Sequence, residues 1–167
     1  MLCNNVVGLL GSCLSLVFLL VGILTDYWLV DFGTGLTHEG LWQICSKGDC
    51  IKLPGAEYIE ATRALLIIST ACLTFGILSS CLSFNNFSVG KFTAPLMASI
   101  TEFAAAIFLI IGMSIYTGET CFMVNTGSFN YEWSFYLCWV ATLFQLTSAV
   151  SHLLAHRANP LPGYESV

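Results

Sequence analysis

Two close thiols are the most chemically suggestive feature of this chain. Cys45 and Cys50 flank Ser46, Lys47, Gly48 and Asp49 inside the polar stretch GLWQICSKGDC, residues 40–50. Such a pair either closes a disulfide or holds a soft metal. Zinc asks for a second Cys/His pair at short spacing, and none stands nearby. The flanking pieces LWQIC and CIKL are β-prone, and a four-residue turn containing Gly48-Asp49 lies between them, which is a hairpin signal. Opposed residues in a hairpin have Cβ atoms about 4.5–5.5 Å apart, close to what a disulfide needs. The expectation is a disulfide-stapled hairpin, with free or metal-bound thiols as the alternative.

Glu102 is the second group of interest, because it interrupts an otherwise uncharged apolar run. A carboxylate in the middle of a membrane helix is expensive and marks either a polar tie between helices or an ion path. Thr70 and Ser148 are candidate partners for it. The three histidines, His38, His152 and His156, have no evident nucleophile or metal partner in the sequence. G-x-S-x-G, H-E-x-x-H and a phosphate-cradling glycine loop are all absent. No enzyme, cofactor or metal is expected.

The elements that must position these groups are set by composition. The chain has 167 residues, of which 56% are apolar and 9% charged. An ordinary soluble domain carries about 25% charge. Four runs, residues 6–25, 64–84, 93–115 and 134–155, are free of charge except at Glu102. Each is near or above the ~20 residues that span a bilayer core. Lipid offers the backbone no hydrogen bonds, so each run must be helical. Small residues recur at helical spacing: Gly8 with Ser12, Gly11 with Ser15, and Cys72 with Gly76 and Ser80. Such rows pack helices within a bundle or join copies of the chain into a homo-oligomer. Net charge of −5 argues against nucleic acid as a partner. Membrane lipids and other integral membrane proteins are the expected neighbours.

Orientation follows from the loops. Four spans put both termini on one side. Lys91 and Arg157 lie on that side and Lys47, Lys52 and Arg63 on the other, so the positive-inside count does not decide. Disulfides persist outside the cytosol. Trp28, Trp42, Trp133 and Trp139 all fall on the side of the cysteine loop. Both termini are therefore expected in the cytosol, with outer loops at 26–63 and 118–133 and a cytosolic tail at 156–167. The sequon Asn86-Phe87-Ser88 would then be silent, and a glycan on Asn86 would reverse the assignment.

Trp28, then Gly40-Leu41-Trp42, then Cys45, Cys50 and Arg63 form a W…GLW…C…C…R pattern. It resembles the signature of the claudin, peripheral-myelin-protein and lens-fibre membrane protein superfamily, over nearly the whole chain. The four-residue gap between the cysteines is similar to the lens-fibre and epithelial-membrane-protein branch. The resemblance implies one all-α membrane domain over residues 1–167. Its left-handed bundle of four transmembrane helices would be capped by a small extracellular antiparallel β-sheet.

Other segments, among them residues 24–28, 103–107 and 133–137, resemble a branch of that superfamily from the granules of cytotoxic lymphocytes. That likeness implies a non-enzymatic protein of lysosome-related granules and plasma membrane. It would act in granule trafficking and exocytosis through lateral contacts with membrane proteins. A junctional or adhesive role is the alternative.

The tail bears on the same question. Pro160 and Pro162 hold it extended, and Gly163, Tyr164 and Val167 form a Gly-Tyr-x-x-apolar ending. An extended peptide of this kind can seat Tyr164 and Val167 in two pockets of a clathrin adaptor by strand addition.

Overall fold

The computed structural model describes residues 2–33, 36–84, 88–89 and 92–158. Gly163, Tyr164 and Val167 of the sorting signal, and Asn86 of the sequon, lie outside the described residues. The element order begins with α1 (Leu2–Leu24). Four strands follow: β1 (Leu29–Asp31), β2 (Thr37–Glu39), β3 (Gln43–Ser46) and β4 (Asp49–Lys52). Next come α2 (Glu57–Ser83), the short pair β5 (Ser88–Val89) and β6 (Phe92–Thr93), α3 (Ala94–Asn125), β7 (Asn130–Tyr131) and α4 (Trp133–Arg157). The four helices are each long and apolar enough to cross a membrane. The chain is an integral, multi-pass membrane protein.

α1 packs chiefly on α4 and α2 on α3, and α3 also meets α4. Burial inverts the pattern of a water-soluble bundle. Large apolar residues such as Leu10, Val17, Phe75, Ile107 and Leu143 face outward, where lipid receives them. Much of the interior is small or polar. Ser15, Ser69 and Ser99 each donate a 2.8 Å hydrogen bond to a carbonyl of another helix, those of Ala141, Ala105 and Ala149. Lipid supplies no hydrophobic drive between helices, so close packing of small residues and such bonds hold them together.

Two helices outrun the spans that hydropathy marks. α2 begins at Glu57 and α3 continues to Asn125, so part of each expected outer loop is helix. At about 1.5 Å per residue, the 32 residues of α3 measure roughly 48 Å, well beyond a ~30 Å hydrocarbon core. The projecting turns bear Glu57, Glu60 and Glu119, and in that of α3 Thr120 Oγ1 lies 2.9 Å from the Tyr131 hydroxyl of β7. The start of α3 is set locally, with Thr93 Oγ1 accepting from the Leu96 amide and Pro95 in the first turn.

The five-stranded sheet is antiparallel at every pairing, in the order β4-β3-β2-β1-β7. β7 brings the second loop onto the first, with Leu29 opposite Tyr131. The β3–β4 turn is tighter than the sequence suggests. It has two residues, Lys47 and Gly48, with φ of 54° and 95°. Two left-handed residues are what a short hairpin needs to match strand twist.

Candidate functional site

The described residues that carry the sequence pattern converge where the sheet meets the helix ends. Cys45 pairs with Cys50 in register across the hairpin, and the two form a disulfide with Cα atoms 4.1 Å apart. Cys45 is buried under the sheet, while every residue of β4 is exposed. Cys121 and Cys138 are both free. Asp26, His38 and Cys45 offer metal-ligating atoms within 4.8 Å of one another, but the sulfur of Cys45 is bridged and Asp26 accepts from the Gln43 amide.

Trp28 is the centre of this junction. Its ring is fully buried, edge-on to Tyr116 at 4.8 Å and to Phe135 at 6.0 Å. Its Nε1 donates to the Gly22 carbonyl at 2.7 Å. Phe135 in turn stacks on Tyr131 of β7 at 4.2 Å. Thus α1, α3 and α4 close on one indole, and β7 joins through Phe135.

The other signature residues complete the clamp. A side chain on Gly40 would put its Cβ 2.6 Å from Asp26 Cα and 3.1 Å from the Thr25 carbonyl. Only glycine lets the strand pass the end of α1 at that distance. Leu41 is fully buried beside it. Trp42 Nε1 donates to the Ile23 carbonyl at 2.9 Å. Arg63 reaches up from α2, donating from Nε to the Leu41 carbonyl at 2.7 Å with its guanidinium 5.0 Å from the centre of the Trp42 ring. Trp28, Trp42 and Arg63 therefore tie the sheet region to the helices.

Glu39 is the junction's one acid under 10% exposed, and desolvation raises its pKa above the usual 4.5. It lies within electrostatic reach of Tyr58 and Tyr116. A carboxyl whose folded pKa is raised contributes most below its unfolded value, and that contribution fades as pH rises through the folded one. The sheet junction should be firmest in acid. Glu39→Gln should flatten this part of the pH dependence, which proteolysis of the hairpin at a series of pH values would read.

A second polar site lies within the helices. Glu102 is fully buried, but its partners are not Thr70 or Ser148. Ser12 Oγ bonds to its Oε1, and His152 Nδ1 lies 2.9 Å from its Oε2. His152 Nε2 meets Ser80 Oγ at 2.8 Å. All four helices thus contribute to one chain of polar contacts. Sequence reasoning left His152 without a partner because Glu102 is fifty residues away.

The small-residue rows are the signal that bears on this site. A Cβ on Gly8 would fall 2.6 Å from His152 Nε2, and one on Gly76 would fall 2.9 Å from Glu102 Cγ. These glycines make room for the Glu102 and His152 side chains. The connection Ser80–His152–Glu102 has the order of a serine hydrolase triad. However, Ser80 lies inside a helix and is fully buried, so its oxygen has no room for an approaching substrate. The cluster ties helices together.

Comparison with known proteins fits this architecture. The family model described as PMP-22/EMP/MP20/Claudin family matches residues 1–150. The lens fiber membrane intrinsic protein of Rattus norvegicus is 32% identical over 157 residues, covering 91% of each chain. Protein NKG7 of Homo sapiens is 32% identical over 169 residues, covering 99% of each chain. Protein NKG7 of Bos taurus is 36% identical over 170 residues, covering 96% of each. With four apolar helices, a clamped five-stranded sheet and a match over most of its length, the chain belongs to the PMP-22/EMP/MP20/Claudin family.

Proposed function

We propose that this protein is a non-enzymatic tetraspan of lysosome-related and cytotoxic granules, and that it regulates granule trafficking and exocytosis by lateral binding to other membrane proteins. The observation that carries the reading is likeness to NKG7 along nearly the full chain, at 28–36% identity. The Gly163-Tyr164-x-x-Val167 ending supports it as an adaptor-binding sorting signal. In this reading both termini face the cytosol and the disulfide-closed sheet faces the lumen. The raised pKa of Glu39 suits an acidic lumen, where the sheet junction should be firmest.

Localisation tests the reading. The tagged protein should stain granules or lysosomes, and Tyr164→Ala should move most of it to the plasma membrane. Staining at cell contacts that ignores Tyr164 would favour a junctional role. That second reading has an observation of its own: Phe32, Ile51 and Phe122 are 64%, 65% and 74% exposed at the sheet end. Apolar groups there suit contact with a partner across a gap.

A further inference from the structure

The sheet sets three metal-ligating residues in one row. His38 of β2 lies directly opposite Cys45 of β3, and Cys45 lies directly opposite Cys50 of β4. Directly opposed residues of antiparallel strands put their side chains on the same face. Asp26 meets this row from just past the end of α1. One ligand atom each of Asp26, His38 and Cys45 lies within 4.8 Å of the other two. Carboxylate, imidazole and thiolate are all zinc ligands. A tetrahedral zinc with bonds of about 2.0–2.3 Å holds its ligand atoms about 3.3–3.8 Å apart, so small side-chain rotations bring these three onto one ion.

Two of the three are already held in place. Asp26 Oδ2 accepts from the Gln43 amide, and the His38 ring stacks on Tyr27 at 4.5 Å with 8° between the planes. Metal sites use such outer partners to orient their carboxylates and imidazoles. His38 Nδ1 is an independent observation. It is buried and has no hydrogen-bond partner among the described residues, and a buried polar atom left alone asks for a water or an ion.

The third ligand depends on redox state. In the disulfide the Cys45 sulfur is bonded to Cys50 and is no thiolate. Cys45 is 2% exposed, while Cys50 is exposed on the edge strand β4. An external thiol therefore meets the Cys50 sulfur. Its thiolate bonds to that sulfur, the Cys45–Cys50 bond breaks, and the electron pair leaves on Cys45, beside Asp26 and His38. A second thiol releases Cys50. In sum the protein disulfide gains two electrons, and two external thiols become one external disulfide. Zinc then bonds to the Cys45 sulfur in place of a water on the ion, and a proton on that sulfur passes to solvent. One thiolate and one carboxylate balance the charge of the ion. Cys50 lies outside the group of three, which leaves the fourth position to water.

We propose that Asp26, His38 and Cys45 form a zinc site that opens when an external thiol reduces the Cys45–Cys50 disulfide. Bridge and metal are alternative states of one sulfur, so zinc favours the reduced chain.

The test uses the full chain in lipid nanodiscs, with Co2+ as the spectroscopic probe. Reduction of wild type should add a thiolate-to-cobalt absorption band. Cys50→Ser, which leaves Cys45 unbridged, should show the same added band without reductant. In that background His38→Ala and Asp26→Asn should each weaken Co2+ binding by about tenfold or more. The six free cysteines are common to all these variants and cannot produce that dependence. A band that ignores both substitutions, or no added band, would overturn the proposal.

Wild type gives a second measurement that needs no substitution. In a glutathione buffer, free Zn2+ at about 100 times its dissociation constant should raise the ratio of reduced to bridged Cys45 about 100-fold. Acid quenching, alkylation and mass spectrometry read that ratio. A ratio that zinc leaves unchanged would overturn the proposal as well.

Discussion

Trp28→Ala should destabilise the protein by about 3–5 kcal/mol, the range for removing a large buried aromatic, and should free the sheet from the helices. The loss is large because one ring serves several elements. Trp28 fills the space between Tyr116 and Phe135 and bonds to the Gly22 carbonyl. Phe135 then supports Tyr131 of β7. Trp28→Phe keeps much of the packing and gives up the indole bond, at about 1 kcal/mol. Denaturant titration in detergent measures both. Trypsin should cut at Lys47 and Lys52 sooner in Trp28→Ala than in wild type. Equal cutting rates would mean that the sheet stays seated without the indole.

His152→Leu should cost a similar amount, about 3–5 kcal/mol, because it strands a buried carboxyl whose partner is gone. Glu102→Leu leaves the imidazole still bonded to Ser80 and should cost less, about 1–3 kcal/mol. The double variant should be more stable than His152→Leu alone, since two apolar residues leave nothing unpaired. Losses that simply add would show that the two side chains act independently. The glycines predict the same site from the other direction. Gly8→Ala places a methyl against the imidazole and should mimic part of the His152 loss.

The sequence made some of this readable and hid the rest for physical reasons. The four spans were legible because a bilayer leaves the backbone no choice. Their ends were not. Arg63 and Glu119 bound the charge-free stretches, yet the helices run past them to Glu57 and Asn125 because water tolerates charge. The Cys45–Cys50 bridge could be anticipated from spacing. The turn came out shorter because Lys47 adopts a left-handed conformation that its residue type does not announce. Trp28, Gly40, Trp42 and Arg63 were recognisable as a pattern, while their shared work as a clamp needed the third dimension. His152 was missed as the partner of Glu102 because no local rule joins residues on separate helices. β7 is two residues long, too short to carry an alternating pattern.

A disulfide-closed sheet is clamped to the membrane helices at the end away from the start of α1 and the end of α4. The most direct measurement is selective permeabilisation of cells expressing two versions of the protein, one with an epitope in the Lys47–Gly48 turn and one with it after Val167. With only the plasma membrane opened, the carboxyl-terminal epitope should be reached, and the turn epitope should stay hidden until internal membranes are dissolved. A turn epitope reached at the first step while the carboxyl-terminal one stays hidden until internal membranes are dissolved would contradict that arrangement.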